Sequence, residues 1–233
     1  MAKSNIIKQL ANDKISIETA LNRLLIIAYD IENEKLAVWV EHELNGYSDD
    51  EDLPQYRKVV CPDIVFTGFR GSMKYTDAPL PIYNIFSKEE DKDYLEHIVN
   101  LRIQDSIKAL EAVLKDQSGN YFRDLTSMSS IILKRTMINC VSIRQRVAVN
   151  VLGNIISTLR TKMIKAMLEL EKEYGNLDSL DIDTSIKTKE EQESINTTVV
   201  NYIYNDSSIT IGNENSFKGV DISTGSSSDE QEK

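Results

Sequence analysis

The sequence predicts an α+β fold, mainly helical: a helical domain with a small β insertion and a C-terminal β-forming oligomerisation tail. Three observations predict it. Apolar residues recur every three or four positions over residues 17–31 and again over residues 152–174, the pattern of a helix with one buried face. All four prolines fall between Pro54 and Pro81, beside Gly68 and Gly71, and exclude a long helix from that window. After residue 196, short β-branched and aromatic runs alternate with Asn-, Ser- and Gly-rich turns.

Taken in order, Ile6, Ile7 and Leu10 suit a short opening turn. Ser16 is a helix N-cap before the stripe of Ile17, Leu21, Leu24, Leu25, Ala28 and Ile31. A second helix is predicted after Asn33, carrying Leu36, Ala37, Val40 and Leu44 on one side and stopping at Gly46, where a left-handed backbone is accessible. Trp39 lies beside that stripe and reads as a core residue. Val59, Val60, Ile64, Val65, Phe66 and Phe69 predict one or two strands, and residues 78–86 an extended strap. Ser87 to Glu90 has capping-box spacing and opens a helix. Val99, Leu101 and Ile103 alternate as in a strand, and Ile107, Leu110, Val113 and Leu114 return to helical spacing. Residues 121–142 fit neither pattern. The strongest stripe runs from Leu152 to Tyr174 in a helix that is expected to start as early as Ile143 and to end at Gly175.

The expected organisation is a helical domain over 1–176 with its β segment near 57–103, an acidic linker over 177–196, a strand-forming tail over 197–223 and a disordered end over 224–233. Three short strands cannot bury both faces alone. Val199, Ile203, Ile209, Ile211, Phe217 and Ile222 are therefore expected to be oligomerisation residues, covered by further copies of the chain.

Composition excludes several functions. The 233 residues carry 27 Lys and Arg against 37 Asp and Glu, a net charge of −10, which disfavours a simple polyanion binder. The longest apolar run, Leu24 to Tyr29, is far short of the roughly 20 residues of a membrane span, so no membrane insertion is expected. An opening without a hydrophobic signal segment, together with the isolated Cys61 and Cys140, leads to the expectation of a cytoplasmic protein. His42 and His97 have no ligand-spaced partner, and both phosphate-binding glycine loops and a nucleophile elbow are missing. No catalytic, metal-ligating or cofactor-binding residue is assigned.

Residues 121–170 are the exception in charge, with eight bases against two acids. Arg123, Lys134, Arg135, Arg144, Arg146, Arg160, Lys162 and Lys165 form a candidate anion or nucleic-acid patch. The competing expectation is that they pair with the acidic remainder of the protein. It is favoured because base-stacking aromatics are missing after Phe122.

One stretch carries a family resemblance. Trp39, then Glu43-Leu44-Asn45-Gly46-Tyr47, then Leu53-Pro54-Gln55-Tyr56-Arg57, resembles the AbiTii domain of bacterial abortive-infection phage-resistance proteins. Residues 155–174 are similar to that domain's later Leu-rich helix, so the resemblance covers roughly residues 5–175. Its anchors, Trp39, Glu43, Leu44, Gly46, Tyr47, Leu53, Pro54, Tyr56 and Arg57, read as packing residues. Arg57 is expected to bond either helix-end carbonyls or Glu43. The resemblance implies an antiviral defence protein, a non-enzymatic oligomeric sensor or adaptor that meets a phage or host protein. The alternatives are a nucleic-acid-binding or nuclease effector using the basic block, and a structural scaffold without a defence role.

Overall fold

Helices supply most of the described residues. The computed structural model describes residues 3–116 and 120–204. Helix α1 (Asn5–Ala11) precedes the hairpin of α2 (Ile17–Asp30) and α3 (Glu34–Asn45). Its capping follows the sequence: Ser16 Oγ accepts from Thr19 N–H and the Asn33 side chain accepts from Leu36 N–H. Strands β1 (Lys58–Val60), β2 (Ile64–Arg70) and β3 (Met73–Pro79) follow, then the single turn α4 (Ile82–Ile85), α5 (Lys92–Val99), β4 (Asn100–Arg102) and α6 (Ile107–Lys115). The last elements are β5 (Asn120–Asp124), α7 (Ser129–Thr136), β6 (Asn139–Ala148), α8 (Val149–Tyr174) and α9 (Lys189–Tyr204).

Two antiparallel sheets result. β1 pairs with β4, and a four-stranded sheet runs in the order β3-β2-β6-β5. The main core joins α1, α2, α3, α6, α8 and α9; a second core lies between one face of the larger sheet and α4, α5 and α7. At 26 residues, α8 is about 39 Å long and lines the main core with Leu152, Ile155, Leu159, Met163, Met167 and Leu170.

Four local expectations change. The long helix begins at Val149, because Ile143, Gln145 and Val147 alternate with Arg144 and Arg146 and make β6 a central strand paired on both sides. Residues 120–124 and 139–148, part of which the sequence left open, thus complete the sheet. The strap at 78–86 contains the α4 turn, which buries Ile82 and Phe86. The capping-box segment forms a 3₁₀ turn, Glu89–Asp91, before α5 starts at Lys92.

The largest correction concerns the C-terminal side. Residues 177–196 are no free linker: Leu177, Ile182 and Ile195 are buried in the main core. Residues 197–204 are helix instead of strand, because Ile195, Val199 and Ile203 stand four apart and reach one face of α9 against α8. The Thr197 and Thr198 hydroxyls donate to the carbonyls of Glu193 and Ser194 one turn back, satisfying polar groups that local preference would place in a strand. Val199 and Ile203 are therefore occupied in the chain's own core. Ile209, Ile211, Phe217 and Ile222, and the expected disordered end, lie outside the described residues.

Candidate functional site

Glu43 follows Trp39 by one turn of α3, so both side chains face the interior. Gly46 ends the helix at φ +95°, and a Cβ there would stand 2.9 Å from the carbonyl oxygen of Gln104. That close approach lets Tyr47 N–H donate to the same carbonyl at 2.8 Å. Leu53 and Pro54, both buried, lead into a 3₁₀ turn, Gln55–Arg57, that carries Tyr56 and Arg57 back to α3. Leu44 is partly buried against the main core.

These residues converge on one carboxylate. Glu43 Oε1 accepts from Tyr47 OH at 2.7 Å, Tyr56 OH at 2.8 Å and Arg57 Nε at 2.9 Å, and Oε2 accepts from Arg57 Nη2 at 2.5 Å. Trp39 Nε1 donates to Tyr56 OH at 3.0 Å. Arg57 Nη1 donates to the carbonyls of Ile103 at 2.9 Å and Asp105 at 2.8 Å. Both charged side chains are 0% exposed. Burial pulls the Arg57 guanidinium down, and the Glu43 carboxylate more than restores it, leaving it above its ordinary value. Burial, with Glu43 beside them, pushes the Tyr47 and Tyr56 phenols well up, so both remain protonated donors. A carboxylate holding four donors out of contact with solvent has no place for a substrate. The arrangement is a buried anchor.

What it anchors is a groove of about 540 Å³ between residues 45–48 and residues 104–106, with Ala109 at its edge. The guanidinium grips the backbone of one wall and Glu43 holds Tyr47 in the other. Ser106 caps α6 on the floor by accepting from Ala109 N–H, and the Asp105 carboxylate accepts from Tyr121 OH. Sequence reasoning missed residues 104–106 and Tyr121. Only the Ser106 cap left a local trace, and that trace marks a helix start and no groove.

The basic block does not gather into one patch. Arg135 donates to the Asp91 carboxylate through both terminal nitrogens, at 2.5 and 2.7 Å, and lies over the Phe86 ring. Arg144 pairs with Asp77 at 2.5 Å, Arg146 with Asp63 at 2.9 Å, and Arg160 with Asp13. Strand register sets Arg123 opposite Gln145 and Arg144 opposite Asp124, so Arg123 and Arg144 leave opposite faces of the sheet. Lys134 is exposed on α7 and Lys165 on α8. Lys162 belongs to the buried anchor: its ammonium lies 5.5 Å from the Tyr56 ring centroid and donates to the Tyr202 carbonyl at 3.4 Å. His97 is exposed, while His42 is partly buried and pairs with Glu51 at 3.1 Å. Cys61 and Cys140 are buried, free thiols pushed up by that burial. Among the described residues no three His, Cys, Asp or Glu side chains converge on a metal-sized site, and no helix is long and apolar enough to cross a membrane.

The sequence model of the AbiTii family matches residues 4–197, well over half of the chain. The chain belongs to the AbiTii family. Membership gives it an abortive-infection role in phage defence. The match to AbiTii runs beyond the Leu-rich helix, where the sequence resemblance stopped, and takes in residues 177–197 and the first half of α9. The AbiTii unit thus includes segments that the sequence alone set aside as linker and tail. No curated protein and no solved structure matches the chain.

Proposed function

We propose that this AbiTii protein acts in phage defence as a non-enzymatic interaction module, in which the groove over the Glu43–Arg57 anchor recognises a polar segment of a phage or host protein. Residues beyond Tyr204 assemble copies of it, and multivalency raises the avidity of a weak single contact. One observation carries the reading. The charged and phenolic residues of the family signature, buried except for the partly buried Tyr56, are spent on one another, and through Arg57 and Tyr47 they stiffen the two walls of an open polar groove. Such a constellation suits recognition by preorganised backbone and polar side chains.

The test fills the groove without touching the anchor. Ala109→Arg, an exposed substitution, is expected to keep wild-type melting behaviour and to abolish the reduction in plaque counts that the full-length protein gives. Full protection by that variant would remove the groove from the function. Light scattering on the full chain beside a chain ending at Tyr204 tests assembly: the full chain is expected to be multimeric and the shorter one single. A full chain that stays single at high concentration would overturn the multivalent part of the reading.

A further inference from the structure

A second groove, about 520 Å³, lies between the first turns of α3 and the last turn of α9. Val38, Val200 and Tyr204 supply its apolar surface, and Glu34 and Lys35 stand at its side. Val38 is 40% exposed and Tyr204 41% exposed, although the neighbouring positions of both helices are packed into the main core. Tyr204, the last described residue of α9, is itself a wall of the groove, so the chain continues from its rim.

We propose that residues 209–211 of the same chain occupy this groove. The sequence after Tyr204 reads Asn205-Asp206-Ser207-Ser208 and then Ile209-Thr210-Ile211. Asn, Asp and Ser are turn formers, and four of them suffice to reverse the direction of the chain. In extended backbone Ile209 and Ile211 project to the same side, which gives two branched apolar side chains for one apolar groove and leaves Thr210 to solvent. Reach is no obstacle, since the five steps from Tyr204 to Ile209 cover up to about 17 Å. So short a tether gives an effective concentration on the order of millimolar, which favours the chain's own segment over that of a second copy. Docking here confines the assembly function of the tail to Phe217 and Ile222, which lie further along the chain.

The test is site-directed disulfide trapping in the full-length protein. Val38→Cys is combined with Ile211→Cys and, as a tethered control, with Ser227→Cys; the native Cys61 and Cys140 are buried and stay out of the reaction. Mild oxidation of a mixture of isotopically light and heavy protein is followed by mass spectrometry. The 38–211 link is expected to form at least about fiftyfold faster than the 38–227 link, well above the roughly sixfold that the shorter tether alone supplies, and to join light only with light and heavy only with heavy. Mixed light–heavy 38–211 links would assign the groove to a second copy and overturn the proposal. A ratio of about sixfold or less, which tether length alone explains, would overturn docking altogether. Neither result depends on plaque reduction or on oligomeric state.

Discussion

At the scale of single residues the anchor is a buried ion pair, and its energetics are asymmetric. Removing one partner leaves the other charged and dry, whereas replacing both with apolar groups of similar volume does not. Glu43→Gln is therefore expected to destabilise the protein by about 3–5 kcal/mol in urea unfolding. The double change Glu43→Leu with Arg57→Met should recover the part of that loss due to the lone buried charge, while the Tyr47 and Tyr56 hydroxyls and the carbonyls of Ile103 and Asp105 lose their partners. If the double variant were less stable than Glu43→Gln, the pair would be a net source of stability and the desolvation argument would fail. Part of this site was legible in the sequence. Gly46 announces a helix stop, and Trp39 and the other anchors through Arg57 read as packing residues. Arg57 was expected to find either helix-end carbonyls or Glu43; it binds Glu43 and the carbonyls of Ile103 and Asp105. Those carbonyls stand 46 and 48 positions further along the chain, and a backbone acceptor leaves no mark in the side-chain pattern that could reveal it.

At the scale of elements, legibility followed the amount of tertiary burial that decides each segment. The α2–α3 hairpin carries its own caps and stripes, and it folds where they indicate. Residues 197–204 carry strand-forming Thr, Val, Ile and Tyr, yet burying Val199 and Ile203 against α8 outweighs that weak local preference. The same closure holds α1. Glu171 on α8 accepts from the backbone N–H and hydroxyl of Ser4 and pairs with Lys3 at 2.9 Å, while Asp178 accepts from the first N–H groups of α1. Burial alone would raise both carboxyls, but the hydrogen bonds and nearby lysines leave them below their ordinary values of 4.5 and 3.8. A carboxyl depressed in the folded state contributes stability above its unfolded value and loses it as pH falls through the folded one. Unfolding free energy is thus expected to decline as pH drops below about 4.5, and Glu171→Gln should flatten the upper part of that decline. An unchanged pH profile in the variant would show that the clamp on α1 contributes nothing through Glu171.

At the scale of the whole molecule, the uneven charge along the sequence becomes a set of cross-chain pairs. Asp13, Asp63, Asp77 and Asp91 come from the acidic first half, and they meet Arg160, Arg146, Arg144 and Arg135 from the basic block. A cation already beside a carboxylate attracts phosphate weakly, and a net charge of −10 repels a polyanion before contact. The outer face of the larger sheet is the best place to measure this, because Arg144 and Arg146 are partly exposed there and Phe122 lies beneath Arg144 at 4.6 Å. Arg144→Glu with Arg146→Glu turns two exposed pairs into like-charge contacts. Exposed pairs contribute little, so only a small loss of stability is expected in urea unfolding. The nucleic-acid arm uses fluorescence anisotropy with a labelled duplex between 50 and 200 mM salt. A protein releasing several counterions would show a steep fall of affinity with salt, with a slope of about −0.9 per phosphate neutralised. The wild type is expected to show no such binding, leaving stability as the only property the double variant changes. Steep salt-dependent binding by the wild type, lost in the variant, would instead mean that these arginines exchange their aspartates for phosphates, and the basic block would become the functional surface.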